Sequence, residues 1–289
     1  MNYKNHKQSV SHQVRYACPR CTLMFESVKS AIGGSGITTE DGGLILVSET
    51  ATTSANGLVT HFLTSSVANN HPVCFVTLQQ TWGHYCNIGN RLGLNLRQHS
   101  DLCNVKVIDG LKLLSEVLDG TVTDINHPFN FLFSTCEYPL RNFYNLIKKA
   151  VQPWKDDGKY FMIIIENVNC LLNMGIHTKD VEVFINYCRN LIGDCVNEKS
   201  GSLVVVTTAD EKDEDASHVT KTLAHVALIH LSSRGLRTGL SREVHGDLKI
   251  TAFDRYSPHH CLPNIHQFQY KMEEKNMKLF APGTSANLL

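Results

Sequence analysis

From residue 44 onward, short apolar runs alternate with amphipathic stretches. Leu44–Val47, Val73–Leu78, Val105–Ile108, Phe161–Ile165, Leu203–Thr207 and Val226–Leu231 read as strands. Phe161–Ile165 and Leu203–Thr207 are β-branched and uninterrupted, the pattern of parallel strands covered on both faces. Between them, apolar residues recur at helical spacing. Trp82–Leu92 carries Tyr85, Ile88 and Leu92 on one face, and Asp109 is placed to cap a helix that runs through Leu118. Pro139–Val151 carries Leu140, Phe143, Ile147 and Val151, with Pro153 expected to limit it. Thr178 is expected to cap a helix carrying Val181, Phe184, Ile185, Cys188 and Ile192. Earlier, Phe25, Val28 and Ile32 mark one face of a first helix, closed by Gly33 and Gly34.

The character changes near the C-terminus. Asp247–Phe253 alternates like a strand open to water on one side. Phe268–Met272 and Met277–Phe280 flank a polar turn and read as a hairpin. The fold class is therefore α/β: a mostly parallel sheet with helices on both faces, extended by antiparallel edge strands. Residues 1–23 are polar and aperiodic and read as a disordered extension, and 24–289 as a single domain.

Composition narrows the function. The 289 residues carry 27 Lys+Arg and 27 Asp+Glu, so no positive excess points to autonomous nucleic-acid binding. No apolar run approaches the roughly 20 residues of a membrane span, and the first residues lack the apolar core of a secretory signal. Ten scattered cysteines suggest reduced thiols in cytosol or nucleus.

The stretch with the most chemical content is Leu44–Phe62, a strand, a polar turn and a helix start. A phosphate-binding loop would sit there, with glycines that let the backbone wrap phosphates and a lysine to meet their charge. The window Ser48–Ala55 has neither, and Glu49 would repel a phosphate. Glu166, at the end of the most apolar strand, stands where an ATPase keeps a Mg²⁺-holding carboxylate. Without a phosphate loop it reads as structural or as part of an interface. Arg234, Arg237 and Arg242, interleaved with glycines in Ser232–Gly246, are the one local concentration of arginine. Guanidinium groups suit phosphate recognition. A strand-connecting turn whose arginines pair with carboxylates is the competing reading. Cys18 and Cys21 form a CxxC, but no second ligand pair follows nearby, so it reads as a tail motif rather than a zinc site.

Taken together, the turn at Ser48–Ala55, VCFVTLQQTWGHYCNIGNRLG, FMIIIEN, RGLRTGLSREVHGDLKI and the closing hairpin resemble the Elongator complex protein six family. The resemblance runs from Met24 to the C-terminus. It implies a RecA-like fold with a degenerate P-loop, no functional Walker A, no catalysis and no cofactor. It also implies a hetero-hexameric ring with two sister subunits, Elongator complex proteins four and five. That ring would support tRNA binding for wobble uridine (U34) modification, in cytoplasm and nucleus. In such a ring Ser48, Glu49, Thr52, Thr53 and Glu166 are expected near a neighbouring subunit, and Arg234, Arg237 and Arg242 near tRNA or the ring interior. The alternative reading is an active RecA-like ATPase with an atypical nucleotide-binding loop.

Overall fold

Among the described residues, nine strands form one sheet in the order β3-β2-β4-β5-β1-β6-β7-β8-β9. They are β1 (Gly43–Glu49), β2 (Val73–Thr77), β3 (Val105–Asp109), β4 (Phe161–Ile165), β5 (Gly201–Thr208), β6 (Ile229–Arg234), β7 (Gly246–Ala252), β8 (Asn264–Met272) and β9 (Met277–Phe280). The first six strands in that order pair in parallel and the last three add antiparallel. This computed structural model describes residues 26–34, 38–120, 124–193, 201–210, 212–236, 239, 241–253 and 262–283.

The expected burial on both faces is present. Ile45 and Val47 of β1 face one core and Leu44 and Leu46 face the other, because successive side chains alternate across a strand. The first core lies under α1 (Glu26–Gly33), α2 (Asn56–Ala68), α3 (Trp82–Arg91) and α4 (Leu96–Asp101). The second lies under α5 (Gly110–Leu118), α6 (Arg141–Asp156), α7 (Asn169–Asn173), α8 (Thr178–Leu191) and α9 (Glu214–Val226). Helices that carry the chain from β1 to β2 and from β2 to β3 occupy one face, and those leading back through β4, β5 and β6 occupy the other. That segregation follows from the single handedness of parallel crossovers.

Several local expectations change. Pro153 does not limit α6, which continues to Asp156. Pro153 forgoes the N–H bond to the Lys149 carbonyl, and the helix continues because its last turn buries Trp154 in the second core. Thr178 is the first residue of α8 and not its cap; His177 takes that place without a side-chain capping bond. The acidic residues that follow β5 start a helix. Asp213 accepts a hydrogen bond from the Ala216 N–H at 2.9 Å, and Glu214 and Asp215 form the first turn of α9. Carboxylates suit the positive end of a helix. Val226 closes α9, so β6 begins three residues later than its apolar run suggests. The short helices α4 and α7 have too few turns for periodicity to register.

Candidate functional site: the carboxyl edge of the parallel sheet

In open α/β sheets, ligands bind outside the carboxyl ends of the strands, where adjacent strands send their helices to opposite faces. One such point lies between β3 and β2, which send α5 and α3 to opposite faces, and two more follow along the sheet. Of these two, one lies between β1, followed by α2, and β5, followed by α9. The other lies between β2, followed by α3, and β4, followed by α7 and α8. The two glutamates singled out by sequence occupy this pair of points, one each.

Glu49 ends β1 and is buried. One carboxylate oxygen accepts from the backbone N–H of Ala55 at the start of α2, and the other from the Thr208 hydroxyl at 3.4 Å. Burial raises its pKa above the ordinary carboxylate value; the bonds from Ala55 and Thr208 pull it back, and the nearby charge of Glu166 adds to the rise. The rest of the turn is likewise closed on itself. The Thr50 N–H donates to Thr53 Oγ1 at 3.0 Å, the Thr53 N–H to the Thr50 carbonyl at 3.0 Å and the Asn56 N–H to Ser54 Oγ at 3.2 Å. In a phosphate cradle such N–H groups point at the ligand. Here several are consumed by the chain, and no ammonium is present. This donor set does not fit a nucleotide phosphate.

Glu166 follows β4 and is 1% exposed. One oxygen accepts three consecutive backbone N–H groups, from Leu78 at 2.9 Å, Gln79 at 2.8 Å and Gln80 at 2.9 Å. The other accepts the Tyr85 hydroxyl. Burial and the charge of Glu166 push the Tyr85 phenol far above its usual range, so the proton stays on the tyrosine. The carboxylate thus ties the turn after β2 and the first turns of α3 to the end of β4.

The two points are joined. Asn167 donates to Gln79 Oε1 at 3.1 Å and to Thr208 Oγ1 at 3.0 Å. Thr208 in turn reaches Glu49. Asn169 exchanges bonds with the Thr208 backbone at 2.9 and 3.1 Å. Asn167 has φ +27°, a conformation that asparagine tolerates better than most residues. A continuous polar network, Glu49–Thr208–Asn167–Gln79, with the Gln79 N–H bonded to Glu166, therefore fills the edge where a ligand would lie. Sequence reasoning found its two acids and missed Gln79, Tyr85, Asn167, Asn169 and Thr208. Tyr85 registered only as a helix face, and polar residues after strands carry no periodic signal.

The Elongation complex protein 6 family matches residues 25–274. The chain belongs to this family. Elongator complex protein 6 of Xenopus laevis is 30% identical over 272 residues, covering 92% of this chain and all of the relative. The human protein of the same name is 29% identical over 271 residues, with the same coverage. A KaiC-like protein from Pyrococcus horikoshii superimposes with a TM-score of 0.51 at 10% identity, over 83% of this chain and 89% of that one. At that identity the likeness speaks to the RecA-like fold alone.

The family match spans every residue of the network and the arginine segment. Of the residues expected near a neighbour, Thr52 is exposed and Thr53 half-buried, while Ser48, Glu49 and Glu166 lie beneath the surface. Ser48 bonds His230 Nε2 at 2.8 Å. The turn also meets the base of the arginine segment. Thr53 Oγ1 donates to the Ser233 carbonyl at 3.3 Å, and a Cβ at Gly235 would stand 2.6 Å from Thr52 Oγ1. Arg234, which ends β6, and Arg242 are both exposed. Arg237 lies outside the described residues, as do Cys18 and Cys21. Among the described residues, no group of three or more His, Cys, Asp or Glu is placed to hold a metal, and no helix is long and apolar enough to cross a membrane.

Proposed function

We propose that this chain is a non-catalytic subunit of the Elongator complex. It joins Elongator complex proteins four and five in a hetero-hexameric RecA-like ring and supports tRNA binding for wobble uridine modification, in cytoplasm and nucleus. The observation that carries the non-catalytic part is the filled carboxyl edge. Phosphoryl transfer is almost entirely positioning and charge neutralisation. The turn after β1 offers hydroxyls and a buried carboxylate instead of a cationic cradle, so it is a degenerate P-loop kept as architecture. Glu166 spends both oxygens on its own chain. Family membership and the names of the relatives support the complex. Exposed Thr52 and half-buried Thr53, bonded to Thr50 and, for Thr53, to the Ser233 carbonyl, form the surface this reading assigns to a neighbour. Exposed Arg234 and Arg242, with Arg237 between them in sequence, are assigned to tRNA or the ring interior.

The test has two arms. The purified chain is titrated with labelled ATP and assayed for hydrolysis; neither binding nor turnover is expected. Turnover abolished by Glu166→Gln would support the ATPase alternative and end this reading. The chain is then mixed with the two sister subunits and tRNA. A ring whose tRNA affinity falls, and whose salt dependence flattens, on replacing the three arginines by alanine is the expected result.

A further inference from the structure

On the face opposite α2, the first turns of α6 and α8 leave an open groove of about 420 Å³. Tyr138, Tyr144, Val183 and Tyr187 form its walls, with Phe184 buried at its floor. Tyr138 is 59% exposed, Tyr187 55% and Val183 40%. The rings of Tyr144 and Tyr187 pack on each other, with centroids 5.5 Å apart. Pro139 and Asp180 belong also to a second depression, of about 470 Å³, so the two form one channel. Large aromatic side chains left in water side by side are costly unless something covers them. Tyrosines with an apolar body and a polar tip are typical of protein-binding surfaces.

The charges narrow the occupant. Asp180 stands on one wall, Glu137 and Arg141 flank Tyr138, and neither Asp180 nor Arg141 has an ion-pair partner among the described residues. Two acids against one base disfavour a phosphate polymer. Two neighbouring helices present a trough into which the ridge of a third can pack. We infer that the α6–α8 groove receives an amphipathic helix from another subunit of the complex. Its apolar residues, at i, i+3 or i+4, seat against the exposed Tyr138, Val183 and Tyr187, and a basic residue lies against Asp180 and Glu137. This rests on membership of the complex proposed above, but on a different surface from the edge assigned there to a neighbour.

A photo-crosslinking amino acid in place of Tyr187, and separately of Val183, tests it in the tagged chain expressed in its own cells, with adducts mapped by mass spectrometry. The expected result is a crosslink from both positions to one helix of another Elongator subunit, bearing an apolar stripe and a Lys or Arg. Val183→Glu should reduce recovery of that subunit at least tenfold while leaving the melting temperature of the isolated chain unchanged, and high salt should weaken the contact. Recovery of Elongator subunits without any crosslink from either position overturns the groove and spares the complex. Adducts only to a second copy of this chain, or to nucleic acid, overturn the proposed occupant. Absence of every Elongator subunit from the wild-type purification overturns both.

Discussion

Tyr85 and Glu166, 81 residues apart, share one buried hydrogen bond, and that bond closes the carboxyl edge of the sheet. Among the described residues, the phenol supplies the one side-chain donor to a carboxylate whose other oxygen already holds three backbone N–H groups. An acid at this place in the fold therefore serves the chain's own backbone.

Glu166→Ala leaves those three N–H groups and the Tyr85 hydroxyl without their acceptor. Unsatisfied buried donors cost about 1–3 kcal/mol each before relaxation and water entry, so a total loss of roughly 3–5 kcal/mol is expected. Tyr85→Phe removes a single charge-assisted bond and should cost about 1.5–3 kcal/mol. Urea unfolding of both single variants and the double variant reads the coupling. Strict additivity of the two losses would mean that the bond does not hold the edge together.

Two buried histidines and one buried glutamate respond to pH in opposite senses. Burial lowers the pKa of His61, with help from Lys29, and that of His230, with help from Lys249 and Arg234, from 6.5 to about 4 in each case. The folded state then binds fewer protons than the unfolded chain. The stability each contributes is complete above 6.5 and is lost as pH falls from 6.5 through 4, by about 1–2 kcal/mol per histidine near pH 5. Glu49 has a raised pKa in the fold, so its contribution runs the other way: stability rises as pH falls from neutrality towards 4.5. Melting curves between pH 7.5 and 5 should therefore flatten in a His61→Gln/His230→Gln variant and steepen in Glu49→Gln. Unaltered slopes in both would refute the assignments.

Gly246 opens β7 where β6 and β8 come closest to it. A Cβ there would stand 2.5 Å from the Arg234 carbonyl oxygen and 2.8 Å from the Tyr270 ring. The backbone cannot yield without breaking the β6–β7 ladder, so Gly246→Ala should cost about 1–3 kcal/mol. Gly57→Ala is the control: its added Cβ would stand 2.7 Å from Met272 Cε, the end of a flexible side chain, and a smaller loss is expected. Thermal unfolding of the two variants compares them directly, and equal losses would contradict the argument.

Much of this protein was legible in its pattern of residues. Runs such as Phe161–Ile165 and Leu203–Val206 are apolar at every position because both faces of a central parallel strand are covered, and this periodic demand is written locally. The change to alternation in Asp247–Phe253 marked the antiparallel end for the same reason: Asp247, Lys249 and Thr251 are on the face opposite the buried Leu248, Ile250 and Ala252. Asp109 capped its helix as expected, accepting from Lys112 at 3.0 Å. The lack of lysine and glycine in Ser48–Ala55 was likewise visible without coordinates.

Partnership was not legible. That Glu166 meets Tyr85 and the N–H groups after β2, and that Glu49 reaches Thr208 on β5, depends on strand order, which sets β2 beside β4 and β1 beside β5. Sequence periodicity reports which side of an element is buried, and is silent on which distant element lies against it. The two glutamates could be picked out as acids at strand ends by sequence alone. Only the tertiary structure decided that they are internal ligands of their own chain, because a buried carboxylate is defined by the donors the fold brings to it.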